Sequence, residues 1–333
     1  MTRATNRATV ASVAHAAGVS PATVSRVLNR HPNVSPELVA RVNAAADEVG
    51  YPRTPAASAR PRTKLWMAIV PDVETPFFMR LLDSFDQAAD AAGCSVLIGN
   101  SRDSPERERT HIATAIDHRV SGVLIAAASV NSDLDPLSQA GIPVVTVDRE
   151  VTGFSGDNVG VNNHRAGELA AQHLLAQGVS RPALMTGPDN VNTTVEREEG
   201  FLATLAAAGI DLGPTVRLRE RSRHAHRVAA AMVLDHPDID AVFATNSWLT
   251  AGAFAALQRS TRRMPDDVAL IGIDDDPWTA LVTPAVSVIG QPIDQLGSWA
   301  GRLLTARADG LTHDQARVSL DPVLVPRAST RRR

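Results

Sequence analysis

The sequence predicts an N-terminal all-α helix-turn-helix head followed by an α/β body of two doubly wound parallel-sheet lobes. Three observations carry that prediction. Two short helical patterns are joined by a tight glycine turn near the N-terminus, the charge changes sign after residue 64, and a strand–helix alternation runs, stops and restarts. At 333 residues, with 44% hydrophobic content, the chain has material for two or three ordinary cores.

The head comes first. Val10, Val13, Ala14 and Ala17 recur at three- and four-residue spacing and fall on one side of a first helix. Gly18 stops it, because glycine takes a left-handed turn conformation without penalty. Ser20 is a good N-cap, Pro21 suits the first helical position, and Val19 can staple onto Val24. The second helix therefore begins at Pro21. Its inward side is Val24, Val27 and Leu28, and Pro21, Ala22, Ser25, Arg26 and Asn29 share the opposite, polar face. The same capping chemistry repeats at Val34-Ser35-Pro36, opening a third helix through Leu38, Val39, Val42, Ala46 and Val49 to Gly50.

Such a pattern alone also fits a generic small helical bundle; charge favours a DNA reader. Residues 1–64 hold nine basic side chains against three acidic ones, a balance of +6, whereas the whole chain is −3 and residues 65–333 therefore carry −9. A basic head on an acidic body suits a module that releases counterions from duplex phosphates, joined to a body not itself drawn to DNA. Tyr51 to Lys64 reads as a positively charged linker with three prolines. Arginine outnumbers lysine 32 to 1, which we read as genomic base composition.

In the body, strands are predicted at Leu65–Val70, Ser95–Gly99, Gly122–Ala127 and Pro143–Val147, with helices at Pro76–Ala92 and Pro105–Arg119 between them. The pattern restarts with strands at Ala183–Thr186, Thr215–Leu218, Ala241–Thr245 and Ala269–Ile273. Helices are predicted around His164–Gln177, Thr194–Ala208, Ala225–Leu234 and Leu249–Gln258. Alternation of this kind implies parallel sheets covered on both faces. Ligands of such sheets bind beyond the carboxyl ends of the strands, so the cleft between two facing lobes is the expected pocket.

Several classes of function are disfavoured. There is no apolar run of membrane-span length, and MTRATNRATV has no apolar stretch behind it, so neither a membrane nor a secretory role is expected and the protein should be cytoplasmic, associated with the nucleoid. The single cysteine, Cys94, excludes an internal disulfide and reads as a small core residue. No dinucleotide fingerprint, phosphate loop, nucleophile elbow or metal-spaced cluster is present, and His224 and His226 lack a third ligand. No catalytic residue, metal or cofactor is therefore expected. A free-standing ligand-binding protein is the rival reading, opposed by the basic head.

Together the segments TVASVAHAAGVSPATVSRVLN and VSPELVARVNAAADEVGY, the basic linker and the two-lobed body resemble the LacI/GalR family of bacterial transcription regulators over nearly the whole chain. Later markers fall in the same order: Pro76-Phe77-Phe78, Val120-Ser121-Gly122, Val147-Asp148-Arg149, Thr186-Gly187-Pro188, Arg197 with Gly200-Phe201, Gly272-Ile273-Asp274-Asp275 and Gln291-Pro292. The resemblance implies a repressor that binds double-stranded, palindromic operator DNA as a homodimer. It also implies a periplasmic-binding-protein-like body controlled by a small polar metabolite, a sugar or related compound. It places a helix-turn-helix domain at 1–50, a hinge linker at 51–64, an effector-binding N-lobe at 65–161 and 291–320, and a C-lobe at 162–290 and 321–330. Crossings between lobes would fall near Val161, Gly290 and Leu320. A tetramerising leucine-heptad helix of some members has no counterpart after Val323–Pro326, so a dimer is expected.

Carried over position by position, base reading falls on Pro21, Ala22 and Arg26, with Thr9, Ser20, Thr23, Ser25 and Asn29 near phosphates or bases. An arginine fork can make two bonds to a guanine edge, whereas Pro21 and Ala22 can offer only apolar contact. The linker departs from the family: Thr54, Ala57 and Arg60 stand where an asparagine, a small residue and a wedging leucine are usual, and Pro55 sits where the hinge helix would begin. Arg60 cannot be an apolar wedge, though an arginine can enter a narrow minor groove.

The implied effector pocket has Phe77 and Phe78 as an apolar wall, with Asp103, Asp148, Thr193, Arg197, Asn246, Trp248 and Asp274 as polar or stacking groups. Carboxylates, an amide and a guanidinium around aromatic rings would satisfy the hydroxyls of a sugar or nucleoside. The bland alternatives are helix caps for the strand-end residues and core positions for the phenylalanines. Two departures stand out. Asn246-Ser247 replaces the usual Asn-Asp, and residues 217–227 run basic, with Arg217, Arg219, Arg221, Arg223 and Arg227 beside His224 and His226. That run reads first as a solvated face and otherwise as steering for a phosphorylated effector.

Overall fold

The computed structural model describes residues 10–28, 34–49, 64–218, 224–310 and 314–331. The chain divides into two compact units, Met1–Arg62 and Thr63–Arg333.

The first unit holds three helices, α1 (Val10–Ala17), α2 (Pro21–Leu28) and α3 (Pro36–Glu48). Gly18 ends α1 with φ +63°, and the Val19 amide turns back to the Ala14 carbonyl, satisfying an end group of the helix. Ser20 Oγ accepts from the Thr23 amide at 3.1 Å, and Ser35 Oγ accepts from that of Leu38 at 3.4 Å, so the two predicted caps are formed. The core is Val13, Ala14, Ala17, Val24, Val27, Val42, Ala45 and Ala46, with Val19 and Val34 packed on it from the turns. The linker 51–63 lies outside the described residues.

The second unit contains two six-stranded sheets. Its strands are β1 (Leu65–Val70), β2 (Ser95–Asn100), β3 (Gly122–Ile125), β4 (Val144–Val147), β5 (Asp157–Val161), β6 (Pro182–Thr186), β7 (Thr215–Arg217), β8 (Ala241–Ala244), β9 (Ala269–Ile273), β10 (Ser287–Gly290), β11 (Arg317–Leu320) and β12 (Val323–Val325). The first sheet runs β11-β5-β4-β3-β1-β2, all parallel; the second runs β12-β10-β9-β8-β6-β7, parallel except for β12. The inner order is the same in both. Each sheet starts at an inner strand, adds one neighbour on one side and then winds outwards on the other, which creates a switch point where loops part.

Helices cover both faces of each sheet, as buried parallel strands require. In the first lobe α4 (Pro76–Ala91) and α12 (Ile293–Ala308) close a core of Trp66, Phe85, Leu124, Leu296 and Leu304, while α5 (Pro105–Asp117) and α6 (Asp135–Gln139) cover the other side. In the second, α7 (Asn163–Ala176) and α8 (Asn192–Ala207) cover one face, and α9 (Ala225–Asp235) and α10 (Ser247–Arg259) the other. A short helix α11 (Pro277–Leu281) follows β9.

Every strand and long helix expected from the alternation is present, with ends shifted by up to two residues. Four strands, β5, β10, β11 and β12, together with α12 and the short α6 and α11, carry no mark in the sequence pattern. DNVGV and RVSL are short and polar, and β11 is an edge strand whose residues alternate between exposed and half-buried. Near the C-terminus Ser329 and Thr330 are buried: Ser329 Oγ donates to the Leu270 carbonyl at 2.5 Å and accepts from the Ser287 amide at 2.8 Å. Among the described residues no helix is long and apolar enough to cross a membrane.

Candidate functional site

In the first unit the polar face of α2 is the candidate nucleic-acid surface. Pro21 and Arg26 are exposed there, Ser20 is exposed at the cap, and Thr23 is half-buried with its hydroxyl 2.9 Å from Ser20 Oγ. Ala22 and Ser25 belong to the same helix. Thr9, Asn29 and Arg60 lie outside the described residues.

In the second unit, all nine residues expected in an effector pocket line one cleft between the two sheets. The space there is about 530 Å³, open solvent at its mouth included. The first lobe contributes from the carboxyl ends of β1, β2 and β4. Phe77 and Phe78 open α4 and meet edge to face, 5.0 Å between ring centres at 87°. Both are buried and belong to the lobe's core as well as the cleft wall, so the two readings of these rings coexist. Asp103 and Asp148 stand at loop positions with φ of +53° and +64°. The second lobe contributes from β6, β8 and β9: Thr193 and Arg197 on α8, Asn246 and Trp248 at the start of α10, and Asp274 with φ +76°. Three of the five described non-glycine residues in left-handed backbone are thus aspartates of this cleft. Asp tolerates that conformation, and strained backbone gathers where a fixed side-chain direction matters.

Helix packing places Arg197. α7 and α8 approach at Gly167 and Gly200, where a Cβ on Gly167 would lie 2.0 Å from the Arg197 carbonyl oxygen and one on Gly200 2.0 Å from that of His164. Held there, the buried guanidinium donates to Asn163 Oδ1 at 2.8 Å, the Thr245 carbonyl at 2.9 Å and Gln291 Oε1 at 3.1 Å. Glu196 and Glu199, its neighbours in sequence, are not among these partners. Gln291 also donates through Nε2 to Asp274 Oδ1 at 2.6 Å. Asn246 is the helix cap that the bland reading suggested, accepting from the Leu249 amide at 2.8 Å, and it lines the cleft as well.

Six lining residues were not assigned to the pocket from sequence: Pro71, Asp72, Thr75, Arg149, Ser247 and Gln291. Arg149 and Gln291 sit inside motifs already noted, next to Asp148 and Pro292. Asp72 shares with Asp103 and Asp274 the signal of an aspartate just past a strand. Arg149 is buried and donates to Asp103 Oδ1 at 2.9 Å and the Ala127 carbonyl at 3.1 Å. Ser247, the departure from Asn-Asp, bonds the buried Asp276, whose carboxyl is pushed up by burial.

The cleft is acidic. Asp72, Asp103, Asp148 and Asp274 line it against Arg149 and Arg197, and both guanidiniums already hold protein acceptors. Burial raises the Asp148 carboxyl above its ordinary range, with Arg149 and Arg197 opposing and Asp274 reinforcing. Burial likewise pushes Asp274 up to about 6, against Arg197 and the Gln291 amide. None of the described residues of the basic run lines the cleft: Arg217 Nη2 donates to both oxygens of Glu198 at 2.8 and 3.0 Å, and His224, His226 and Arg227 are exposed, while 219–223 lie outside the described residues. Among the described residues no cluster of His, Cys, Asp or Glu could hold a metal ion.

Comparison with known proteins agrees with this architecture. Residues 9–54 match the model for bacterial regulatory proteins of the lacI family, and residues 67–312 match that of a periplasmic binding protein domain. The chain is similar to a ribose operon repressor of Halalkalibacterium halodurans (31% identity, covering 97% of each protein) and to the transcriptional regulator CelR of Thermobifida fusca (32%, covering 97% of this chain and 98% of that one). Among solved structures it resembles a CelR–cellobiose complex, with a TM-score of 0.74 and 28% identity over 97% of this chain and 100% of the other.

Proposed function

The chain belongs to the LacI family of bacterial regulatory proteins, and from that premise we propose that it is a cytoplasmic repressor that binds a palindromic operator as a homodimer and releases or tightens its hold when a neutral sugar enters the interlobe cleft. The domain limits are 1–50 for the reader, 51–64 for the hinge, 65–161 with 291–320 for one lobe and 162–290 with 321–330 for the other. One observation carries the ligand class: strand-end carboxylates from both lobes line a cleft together with a T-shaped aromatic pair, and the described guanidiniums there already hold protein acceptors. Carboxylates accept hydrogen bonds from hydroxyl groups and repel phosphate, so a neutral polyol fits the charge and a phosphorylated one does not. The names of the relatives, a ribose operon repressor and a CelR–cellobiose complex, point to the same chemistry. No residue is assigned a catalytic role.

The reading is tested by thermal-shift and calorimetric screening of neutral against phosphorylated mono- and disaccharides, with operator affinity followed in parallel. Stabilisation by neutral sugars, with a matching change in DNA binding, is expected; stabilisation by phosphorylated sugars alone overturns it. On the head, Arg26→Ala should cost about 1–3 kcal/mol of operator discrimination while leaving salt-dependent non-specific binding intact, as read by gel shift against specific and scrambled duplexes. Unchanged operator preference removes Arg26 from the reading face.

A further inference from the structure

Trp248 belongs to the second lobe, yet its indole Nε1–H donates across the cleft to Thr75 Oγ1 of the first, at 3.2 Å. The Thr75 hydroxyl in turn donates to Asp72 Oδ2 at 2.6 Å, and the other carboxylate oxygen of Asp72 accepts from the Glu74 amide at 2.8 Å. Asp72 is 3% exposed at the end of β1, and Thr75 is the residue before α4. A hydroxyl that donates to a carboxylate is polarised and becomes a better acceptor, so the three groups form a directed chain from a buried anion to an aromatic ring.

We propose that Asp72 and Thr75 are positioning residues that hold Trp248 from the opposite lobe, making its indole a fixed recognition platform and tying that platform to the spacing of the lobes. An indole has one polar group, a donor. With that donor engaged by Thr75, the ring has only apolar surface to offer the cleft, which Asp148, Arg197 and Asp274 also line with donors and acceptors. A ligand with hydroxyls along its edge and a C–H face suits this arrangement, and a ligand polar on every side does not. The choice of ligand rests on the sugar reading above; the relay itself does not.

The test therefore has an arm that needs no ligand. In the full-length 15N-labelled protein, the four tryptophans give four indole N–H signals, and that of Trp248 is the one absent from Trp248→Phe. Thr75→Val should shift this signal and speed its solvent exchange about fivefold or more, Thr75→Ser should restore it, and Asp72→Asn should fall between. A Trp248 signal indifferent to Thr75→Val overturns the relay. In the second arm, with cellobiose and D-ribose as probes, Thr75→Val should weaken binding about three- to tenfold, the range of one hydrogen bond. The double variant Thr75→Val/Trp248→Phe should bind no more weakly than Trp248→Phe alone. Additive losses, or an affinity unchanged by Thr75→Val, overturn the platform role. A relay signature in a protein that binds no neutral sugar overturns the sugar reading and supports the relay.

Discussion

In the first lobe the guanidinium that reaches the cleft, Arg149, is held by Asp103 and the Ala127 carbonyl, both of the same lobe. In the second, Arg197 is held by Asn163 just past β5, by the Thr245 carbonyl and by Gln291 just past β10, and Gln291 bonds Asp274 as well. Two sheets with the same inner strand order have thus mounted their charged groups differently. The first lobe holds its guanidinium entirely within itself; the second ties its own to residues just past β5 and β10, where the chain passes from one sheet to the other. Allostery requires a ligand to favour one arrangement of the lobes over another, through contacts that differ between the two.

The sharpest way to break the comparison is to remove each guanidinium in turn. Arg197→Ala leaves two buried acceptors and the half-buried Gln291 without their donor and should reduce effector affinity about a hundredfold or more, with loss of the DNA response. Arg149→Ala should weaken binding while a saturating ligand still changes operator affinity to the wild-type extent, as measured by fluorescence anisotropy. Equal loss of response in both variants would erase the distinction.

The next largest effect is on stability. Arg307 of α12 forks onto the buried Asp157 of β5 at 2.8 and 2.9 Å, binding the returning helix to the first lobe. Arg307→Ala removes the cation from that buried carboxylate, which keeps the Ala316 amide as a donor, and should cost about 3 kcal/mol in urea denaturation, with the first lobe melting ahead of the second. A single unchanged transition would show the lobes to be coupled more tightly than their separate cores suggest.

A further effect is a matter of pH. Burial holds Asp274 at about 6, above its ordinary value, so folding favours the protonated acid. Its contribution to stability is complete below about pH 4 and is lost as pH rises through about 6. Asp274→Asn should therefore gain stability relative to the wild type between those values and hold the gain above pH 6, read as Tm against pH. A constant difference across that window would remove Asp274 from the titration.

Much of this was legible in the residues. Gly18, Ser20 and Ser35 announce helix ends by local chemistry, and Pro76 and Pro105 do the same for α4 and α5, because caps and first-turn prolines act within a few residues. Buried strands such as LWMAIV and ALIGI read as apolar runs, whereas β5 and β11, which carry polar and exposed positions, do not. Resemblance supplied all nine pocket residues, and the strand-end rule independently agrees for Asp103, Asn246 and Asp274. What stayed hidden is what depends on distant partners. Nothing local to Thr75 foretells an indole 173 residues away, and Arg149 and Gln291 stood in plain view within short motifs without showing which way they would point.

The outer strands carry a last consequence. β11 joins the first sheet and β12 the second, so neither lobe is encoded by one uninterrupted stretch of polypeptide. A ribosome that has delivered residues 65–290 has made most of both sheets and finished neither, leaving β5 and β10 with bare edges until residues 317–325 emerge. The nascent protein must shield those edges from other chains, and a gene fragment cut at the apparent midpoint should yield two sticky halves in place of two domains.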